Sequence, residues 1–268
     1  MKLTTRVLRL LAASLLLAPS AALAVTIDHG VLAGTNVTFS GPDAGPGLPD
    51  ECQGGVCETT SSSGDPDVLW GAPSVSGDDL LFTPAAFLAE ASGAGGYDYT
   101  GSQLQTIITS NGGGFTLDTL NITEFGDATL LALPPPGTGG TGTFVSMAGF
   151  VTVTETLSGP ITPVVIPFTG SISPSDLLSL PGDFGTTLWS GSVSVDIASV
   201  VPDATEVILS LDNDLYAYSD AVGSSAKIQK KVVNGPSVVV SVPEPGMLSM
   251  LGSGALVSML LGRRRRSA

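Results

Sequence analysis

The chain has 268 residues and is acidic, since 24 Asp and Glu residues stand against 10 Lys and Arg residues, for a formal net charge of −14. A surface with this excess of negative charge repels phosphates, which excludes nucleic acid as a partner and argues against binding to anionic lipid surfaces. Hydrophobic residues make up 43 % of the chain, which is too large a share for a disordered protein.

The first 24 residues have the three parts of a secretory signal peptide. Lys2, Arg6 and Arg9 form a positively charged start, residues 8–17 supply an apolar core that overlaps its end, and Ala22 and Ala24 supply the small residues of a cleavage site. We predict cleavage after Ala24. The alternative of a permanent N-terminal anchor is disfavoured, because the apolar stretch is too short to span a bilayer.

The body that follows the signal peptide is more acidic than the whole chain. Residues 25–240, which we predict to be the ectodomain, hold three lysines and no arginine. All 24 acidic residues lie within residues 25–245, so the formal charge of residues 25–245 is −21. Such a charge suits a soluble extracellular protein. The abundance of Gly, Ser, Thr, Val and Pro predicts strands and turns.

Two cysteines lie in a segment rich in Gly and Pro, residues 41–79, which we predict to be a long loop. In an exported protein, cysteines as close as Cys52 and Cys57 most often form a disulfide. A metal site is the weaker alternative, because no second cysteine pair exists and the lone histidine, His29, is distant in the sequence.

Strand patterns separated by turn residues recur along the body. Two segments, residues 85–91 and 171–180, are instead predicted to hold short helical turns. Pro163 and Pro167 indicate that their strand lies at a sheet edge, since proline has no backbone N–H to donate to a neighbouring strand. Residues 238–242 form either a last strand or an extended stalk. The predicted strands are 36–39, 80–84, 102–109, 115–125, 144–155, 161–169, 187–197, 206–211 and 226–233.

Short strands at this spacing predict an all-β fold, which we interpret as an antiparallel β-sandwich with a jelly-roll-like outline. The ectodomain is long enough for one sizeable domain or two small ones. The sandwich is expected to be flanked by the signal peptide and by a single C-terminal membrane helix.

The last 28 residues, 241–268, contain three distinct parts in a fixed order. Two prolines make the first part rigid and keep it out of helices and central strands. Residues 246–262 carry no charge and reach the lower length limit for a membrane helix. A basic tail then holds the terminus in the cytoplasm. The rigid part is Val242, Pro243, Glu244 and Pro245, and the basic tail is Arg263, Arg264, Arg265 and Arg266.

This three-part tail resembles a PEP-CTERM sorting signal. The resemblance implies a bacterial protein that the Sec machinery exports and that the inner membrane holds transiently. A membrane-embedded exosortase then processes it near Pro-Glu-Pro, and the product reaches the cell surface or the extracellular space. Residues 120–130 and 211–231 also resemble stretches in the bodies of PEP-CTERM proteins of no assigned activity. A plain tail anchor is the alternative, but it has no need of the rigid segment.

Candidates for catalysis are few. Glu124 with Asp127 is the best local pair of carboxylates for glycoside hydrolysis, although a strand end and its turn are the favoured explanation of the pair. A serine hydrolase needs a base, and His29 lies close to the signal cleavage site, in a terminus that we expect to be mobile. We therefore expect no enzymatic activity and no cofactor.

Calcium is the one metal for which the sequence holds candidates. Asp212, Asp214 and Asp220 are hard oxygen ligands near a possible loop, which makes them weak candidates for Ca²⁺. They lack the spacing and the glycine of an EF-hand loop. Solvated turn aspartates are the simpler interpretation.

Aromatic residues are sparse. Some could stack on sugar rings, although half-buried sheet residues are the favoured interpretation. Tyr216 and Tyr218 are two residues apart, so they share one face of a strand. The function predicted is a non-catalytic surface or extracellular-matrix protein. The alternatives are a carbohydrate-binding module for extracellular polysaccharide and a glycoside hydrolase with paired carboxylates. The aromatic candidates are Trp70, Trp189, Tyr97, Tyr99, Tyr216 and Tyr218.

Overall fold

The computed structural model describes residues 25–41, 54–60, 64–132, 140–174, 178–179, 185–231 and 238–243. Within these ranges the regular elements are all β-strands, and no helix there is long and apolar enough to cross a membrane. The strands are β1 (Val25–Asp28), β2 (Leu32–Ala33), β3 (Val37–Ser40), β4 (Cys57–Thr60), β5 (Ser74–Ser76), β6 (Asp79–Phe82), β7 (Leu88–Ser92), β8 (Gly96–Ser110), β9 (Thr119–Ala132), β10 (Thr141–Thr156), β11 (Gly159–Thr169), β12 (Ser171–Ser173), β13 (Leu178–Ser179), β14 (Gly185–Asp196), β15 (Ala204–Ser219), β16 (Ser224–Lys230) and β17 (Val238–Ser241).

The strands form two antiparallel sheets. Sheet I has the order β1-β4-β8-β15-β10-β11, and its long central ladder joins β8, β15 and β10 over most of their lengths. Sheet II has the order β12-β14-β9-β17-β6-β5. One edge of β9 pairs with β14, while its other edge is shared by β17 and β16.

The inward faces of both sheets contribute to one apolar core. Side chains alternate along a strand, so every second residue points inward. In β15 the inward series includes Val207, Leu209, Leu211 and Leu215, all of which are at most 1 % exposed. Burial of each such side chain contributes about 1.5–3 kcal/mol relative to exposure.

The all-β, antiparallel prediction is confirmed for the described residues, with two sheets in a sandwich-like arrangement. The jelly-roll outline stays a prediction. The assignment of 161–169 to an edge is confirmed, because β11 pairs with β10 alone on the sheet path. The predicted signal peptide, residues 1–24, and the predicted membrane helix, residues 246–262, lie outside the described residues.

The helical prediction for residues 85–91 is wrong. Residues 88–92 form β7, in which Ala89 and Ala91 are buried while Glu90 is exposed. Pairing with β16 supplies the backbone hydrogen bonds that a helical turn was expected to supply internally. The helical prediction for residues 171–180 is also wrong where the chain is described, since residues 171–173 form β12 and pair with β14.

The prediction of one long loop over residues 41–79 is wrong in part. β4 lies within it and pairs with β1 on one side and β8 on the other. β5 is also within it and pairs with β6. Trp70 follows β4 and is fully buried, with ring centroids 5.5 Å from those of Phe82 and Phe87. The segment therefore contributes strands and core residues.

Candidate functional site

The last strand of the domain leads directly into the rigid segment of the tail. β17 lies between β9 and β6, and Val240 pairs with Ile122 on one side and Leu80 on the other. Val242 is only 3 % exposed, whereas Pro243, the last described residue, is exposed. The rigid segment thus begins inside the fold, and the extended stalk is the wrong alternative.

Three aromatic residues form a row across the outer face of sheet I. Tyr99 of β8, Tyr216 of β15 and Phe144 of β10 are direct cross-strand neighbours. The ring centroid of Tyr216 lies 4.8 Å from that of Tyr99 and 5.8 Å from that of Phe144. Tyr97 joins them, with its centroid 6.5 Å from that of Tyr216. We call Tyr97, Tyr99, Phe144 and Tyr216 the aromatic patch.

Two members of the aromatic patch are exposed to solvent, and the other two, Tyr99 and Tyr216, are partly exposed. Tyr97 is 65 % exposed and Phe144 is 48 % exposed. Clustered exposed rings are uncommon on a monomeric protein and mark surfaces that bind something. Rings at these centroid separations support one another through tilted contacts, so the patch offers a firm, nearly continuous platform.

A polar row runs beside the aromatic patch, one step further along the same strands. Gly101, Asp214 and Ser146 are cross-strand neighbours in that row. The Tyr99 hydroxyl donates to Asp214 Oδ1 at 2.8 Å, and the Ser146 hydroxyl donates to Asp214 Oδ2 at 2.9 Å. Each carboxylate oxygen has two acceptor positions, so Asp214 keeps acceptor capacity for a ligand hydroxyl.

Gly101 makes the position of the Tyr99 ring possible. A Cβ atom at Gly101 would lie 2.1 Å from the Tyr99 hydroxyl oxygen and 2.6 Å from Cζ of the same ring. Real Cβ atoms do not approach other heavy atoms this closely. The absent side chain therefore lets the Tyr99 ring lean over β8 toward Asp214.

The phenol of Tyr216, at the centre of the aromatic patch, is held in its neutral form. Burial among the neighbouring rings raises the pKa of Tyr216 above its ordinary value, and the negative charge of Asp214 raises it further. The hydroxyl thus stays a hydrogen-bond donor at neutral and moderately alkaline pH.

Both predicted tryptophans lie away from the patch, and their interpretation as sugar-stacking residues is wrong. Trp70 is fully buried and Trp189 is 4 % exposed. The Trp189 ring covers Gly126, where a Cβ atom would lie 2.4 Å from its Cε2 atom. Tyr218 shares the outer face of β15 with Tyr216, as the spacing predicted.

The structure does not bring Glu124 and Asp127 together as an acid–base pair. They lie three residues apart on the regular strand β9, so their side chains point to opposite faces of sheet II. The Asp127 carboxylate accepts hydrogen bonds from Lys231 Nζ at 3.0 Å and Gln229 Nε2 at 2.8 Å. The Glu124 side chain points into the core and is fully buried.

Two residues beside Glu124 were missed in the sequence. Asn213 of β15 and Lys230 of β16 contact it between the sheets, and both lie on otherwise apolar inward series. Leu211 and Leu215 flank Asn213 in its series. A polar residue in the apolar phase of a period-two pattern is the signal that could have found them.

The three aspartates predicted as weak calcium candidates are spread along one strand and the turn after it. Asp212 accepts a hydrogen bond from Gln103 Nε2 at 2.9 Å, and Asp214 binds Tyr99 and Ser146 as described above. Asp220 lies eight residues beyond Asp212, roughly 26 Å along an extended chain. Among the described residues no group of three His, Cys, Asp or Glu side chains could hold a metal ion.

His29 is fixed in place, so the expectation of a mobile terminus is wrong at this position. Its side chain is 9 % exposed, and its Nε2 atom lies 3.2 Å from Glu58 Oε2. The other oxygen of Glu58 accepts the backbone N–H groups of Leu69 and Trp70. A fully buried carboxylate thus ties the start of the domain to the segment after β4.

Several predicted residues lie outside the described ranges, so their expected roles stay predictions. Cys57 is described and is buried at the start of β4, but its expected disulfide partner is not. The residues outside are Ala22, Ala24, Cys52, Glu244, Pro245, Arg263, Arg264, Arg265 and Arg266.

Comparison with protein families gives one match, at the end of the chain. Residues 241–266 match the family model of the PEP-CTERM protein-sorting motif. The chain carries a PEP-CTERM sorting motif. The matched segment begins at Ser241, the last residue of β17, so this one residue belongs both to sheet II and to the sorting signal.

The other comparisons show no relative of the β-domain. No curated protein matches the chain. Among solved structures, chains of the infectious bursal disease virus Gx and Gt strains are each 11 % identical to it. Each alignment covers 91 % of this chain, with 69 % of the Gx chain at a TM-score of 0.14 and 71 % of the Gt chain at 0.13.

Proposed function

We propose that the chain is a non-catalytic surface or extracellular-matrix protein whose PEP-CTERM motif is processed by an exosortase after Sec-dependent export. The sorting motif at residues 241–266 carries this proposal, because it implies export and exosortase processing. The inner membrane holds the protein only until the tail is removed, and the anionic β-domain is the working product.

The charge of the ectodomain supports release from the membrane. Only Lys227, Lys230 and Lys231 oppose its acidic residues, and Lys230 is buried. A surface so short of positive charge has little attraction for anionic lipid headgroups once the tail is gone.

Processing is tested in the bacterial host with the full-length chain. Pro243→Ala combined with Pro245→Ala removes the rigid part of the motif, and uncut precursor should accumulate in the membrane fraction. Pro163→Ala with Pro167→Ala, on the edge strand β11, is the matched control and should be processed normally. Mass spectrometry of the wild-type product locates both ends. Normal processing of the sorting variant contradicts the proposal.

A second function, binding of extracellular polysaccharide, is favoured by the aromatic patch. The apolar face of a pyranose packs on an exposed ring, and sugar hydroxyls donate to carboxylates such as that of Asp214. The glycoside hydrolase alternative draws no support from Glu124 and Asp127, which face opposite sides of sheet II.

A pull-down with the polysaccharide purified from the host's own matrix separates the two functions. Retention of the wild-type protein on immobilised polysaccharide, reversed by soluble polysaccharide, supports the binding function. If the protein instead elutes together with an unrelated acidic protein, it does not bind the polysaccharide, and the structural role remains as the proposed function.

A further inference from the structure

Three polar side chains from both sheets meet inside the apolar core. Glu124 comes from β9 and Lys230 from β16, both in sheet II, while Asn213 comes from β15 in sheet I. Glu124 and Asn213 are fully buried, and the Lys230 side chain is 0 % exposed. Placing an amine, an amide and a carboxyl group out of reach of water is costly unless their contacts compensate.

The three groups form a closed triangle of contacts. Lys230 Nζ lies 2.7 Å from Asn213 Oδ1 and 3.0 Å from Glu124 Oε2. Asn213 Nδ2 donates to Glu124 Oε1. The Glu124 carboxyl group thus bridges the two nitrogen atoms, the amine of Lys230 and the amide of Asn213. Its Oε2 atom accepts no well-directed hydrogen bond from the described residues, although Nζ is close.

Aromatic rings close the site on the remaining side. Lys230 Nζ lies 4.3 Å from the ring centroid of Trp70 and 4.6 Å from that of Phe87. The backbone N–H of Lys230 donates to the Phe87 carbonyl at 3.0 Å, which fixes the start of the side chain. The amine is therefore held against the amide by packing on all sides.

The buried setting makes the Lys230 amine easier to deprotonate. Burial lowers the pKa of Lys230 below its ordinary value, and the nearby negative charge of Glu124 opposes that shift in part. Transfer of a proton from Nζ to Glu124 removes both charges from the core. A desolvated lysine amine is an effective nucleophile toward carbonyl carbon.

From this arrangement we propose that Lys230 and Asn213 join through an intramolecular isopeptide bond, with Glu124 as the proton carrier. Nζ attacks Cγ of Asn213, so a new C–N bond forms and the bond from Cγ to Nδ2 breaks. One proton passes from Nζ through the Glu124 carboxyl group to Nδ2, which leaves as ammonia. Glu124 is returned unchanged, and no oxidant or reductant takes part.

The contacts of Glu124 match this proton path. One of its oxygens faces the nitrogen that must lose a proton and the other faces the nitrogen that must gain one. The product would link β15 of sheet I to β16 of sheet II covalently, as a clamp that no reductant opens.

Peptide mapping of the folded, full-length chain tests the bond. A chymotryptic digest should contain a branched peptide in which Lys230 is joined to Asn213, lighter than the sum of its two parts by one ammonia. Intact mass alone does not decide, because Asn111-Gly112 and Asn234-Gly235 can also lose ammonia by succinimide formation. The branched peptide is specific to the bond.

Three variants and one control complete the test. Lys230→Arg, Asn213→Ala and Glu124→Gln should each abolish the branched peptide, and Glu124→Gln does so while both joined residues are still present. Lys231→Arg, in which the changed side chain is 55 % exposed, should retain it fully. Recovery of separate, unmodified Lys230 and Asn213 peptides from wild-type protein that is folded by circular dichroism overturns the proposal, whatever the variants do.

Discussion

The hydroxyl of Tyr99 donates a hydrogen bond to Asp214 Oδ1 at 2.8 Å, across the boundary between the aromatic patch and the polar row. The two residues belong to neighbouring strands, β8 and β15, and are diagonal neighbours, since Tyr99 pairs with Tyr216 and Asp214 lies two residues before Tyr216. The bond adds to the packing against Tyr216 in holding the tilt of the Tyr99 ring. It also orients the carboxylate that a bound sugar would meet first.

Tyr216→Ala should abolish retention on the host polysaccharide while leaving the fold intact. The change removes the central ring, which contacts all three other members of the aromatic patch. Leu188→Ala, which removes an apolar side chain 60 % exposed on the opposite sheet, is the control and should bind as wild type does. Column retention with circular dichroism measures both. Equal loss in the two variants would argue against a binding site on sheet I.

Gly101→Ala should displace the Tyr99 ring and weaken both stability and polysaccharide retention. Its Cβ atom would lie 2.1 Å from the Tyr99 hydroxyl oxygen, so the ring must move and the hydrogen bond to Asp214 is lost. We expect a loss of about 1 kcal/mol in the free energy of unfolding. Gly140→Ala is the control, since its Cβ atom meets nothing closer than 3.5 Å. Urea denaturation of both variants measures the difference.

Glu58→Ala should destabilise the domain by roughly 3 kcal/mol, because it leaves the buried N–H groups of Leu69 and Trp70 without an acceptor and each costs about 1–3 kcal/mol. Glu90→Ala, at an exposed carboxylate on β7, should change stability by less than about 0.5 kcal/mol. Chemical denaturation compares the two. Similar values would show that the Glu58 contacts do not contribute to the fold.

Val240→Ala should lower the free energy of unfolding by roughly 2 kcal/mol, since it opens a cavity beside a fully buried position in the centre of sheet II. Val239→Ala, on the other face of the same strand and only partly buried, should cost clearly less. Denaturant titration of both variants checks the order. A larger loss of stability for Val239→Ala than for Val240→Ala would show that Val239, and not Val240, faces the core.

Much of the fold could be predicted because apolar and polar residues alternate along many of its strands. β10 and β14 appear nearly in full as apolar series of period two, and the prolines of β11 correctly indicated an edge. The prediction failed at β7, where a short run with several alanines lacks β-branched residues. Its conformation is decided by pairing with β16, a partner distant in sequence.

The candidate sites were visible only in part. Tyr216 and Tyr218 were placed on one face by their spacing, but the contribution of Phe144 depends on the register between β10 and β15. The triangle of Glu124, Asn213 and Lys230 depends on three strands from two sheets. Neither register nor sheet packing follows from the local pattern of one strand.

The central position of β17 sets the order in which the domain can be completed. A chain made from its N-terminus supplies β9 and β6 early, but the strand that separates them arrives only with residues 238–241. Until then the edges of β6 and β9 that pair with β17 have unpaired backbone groups, and such edges can pair with strands of other chains. Sheet II can therefore be completed only when residues 238–241, which directly precede the rigid segment of the sorting signal, are available to pair.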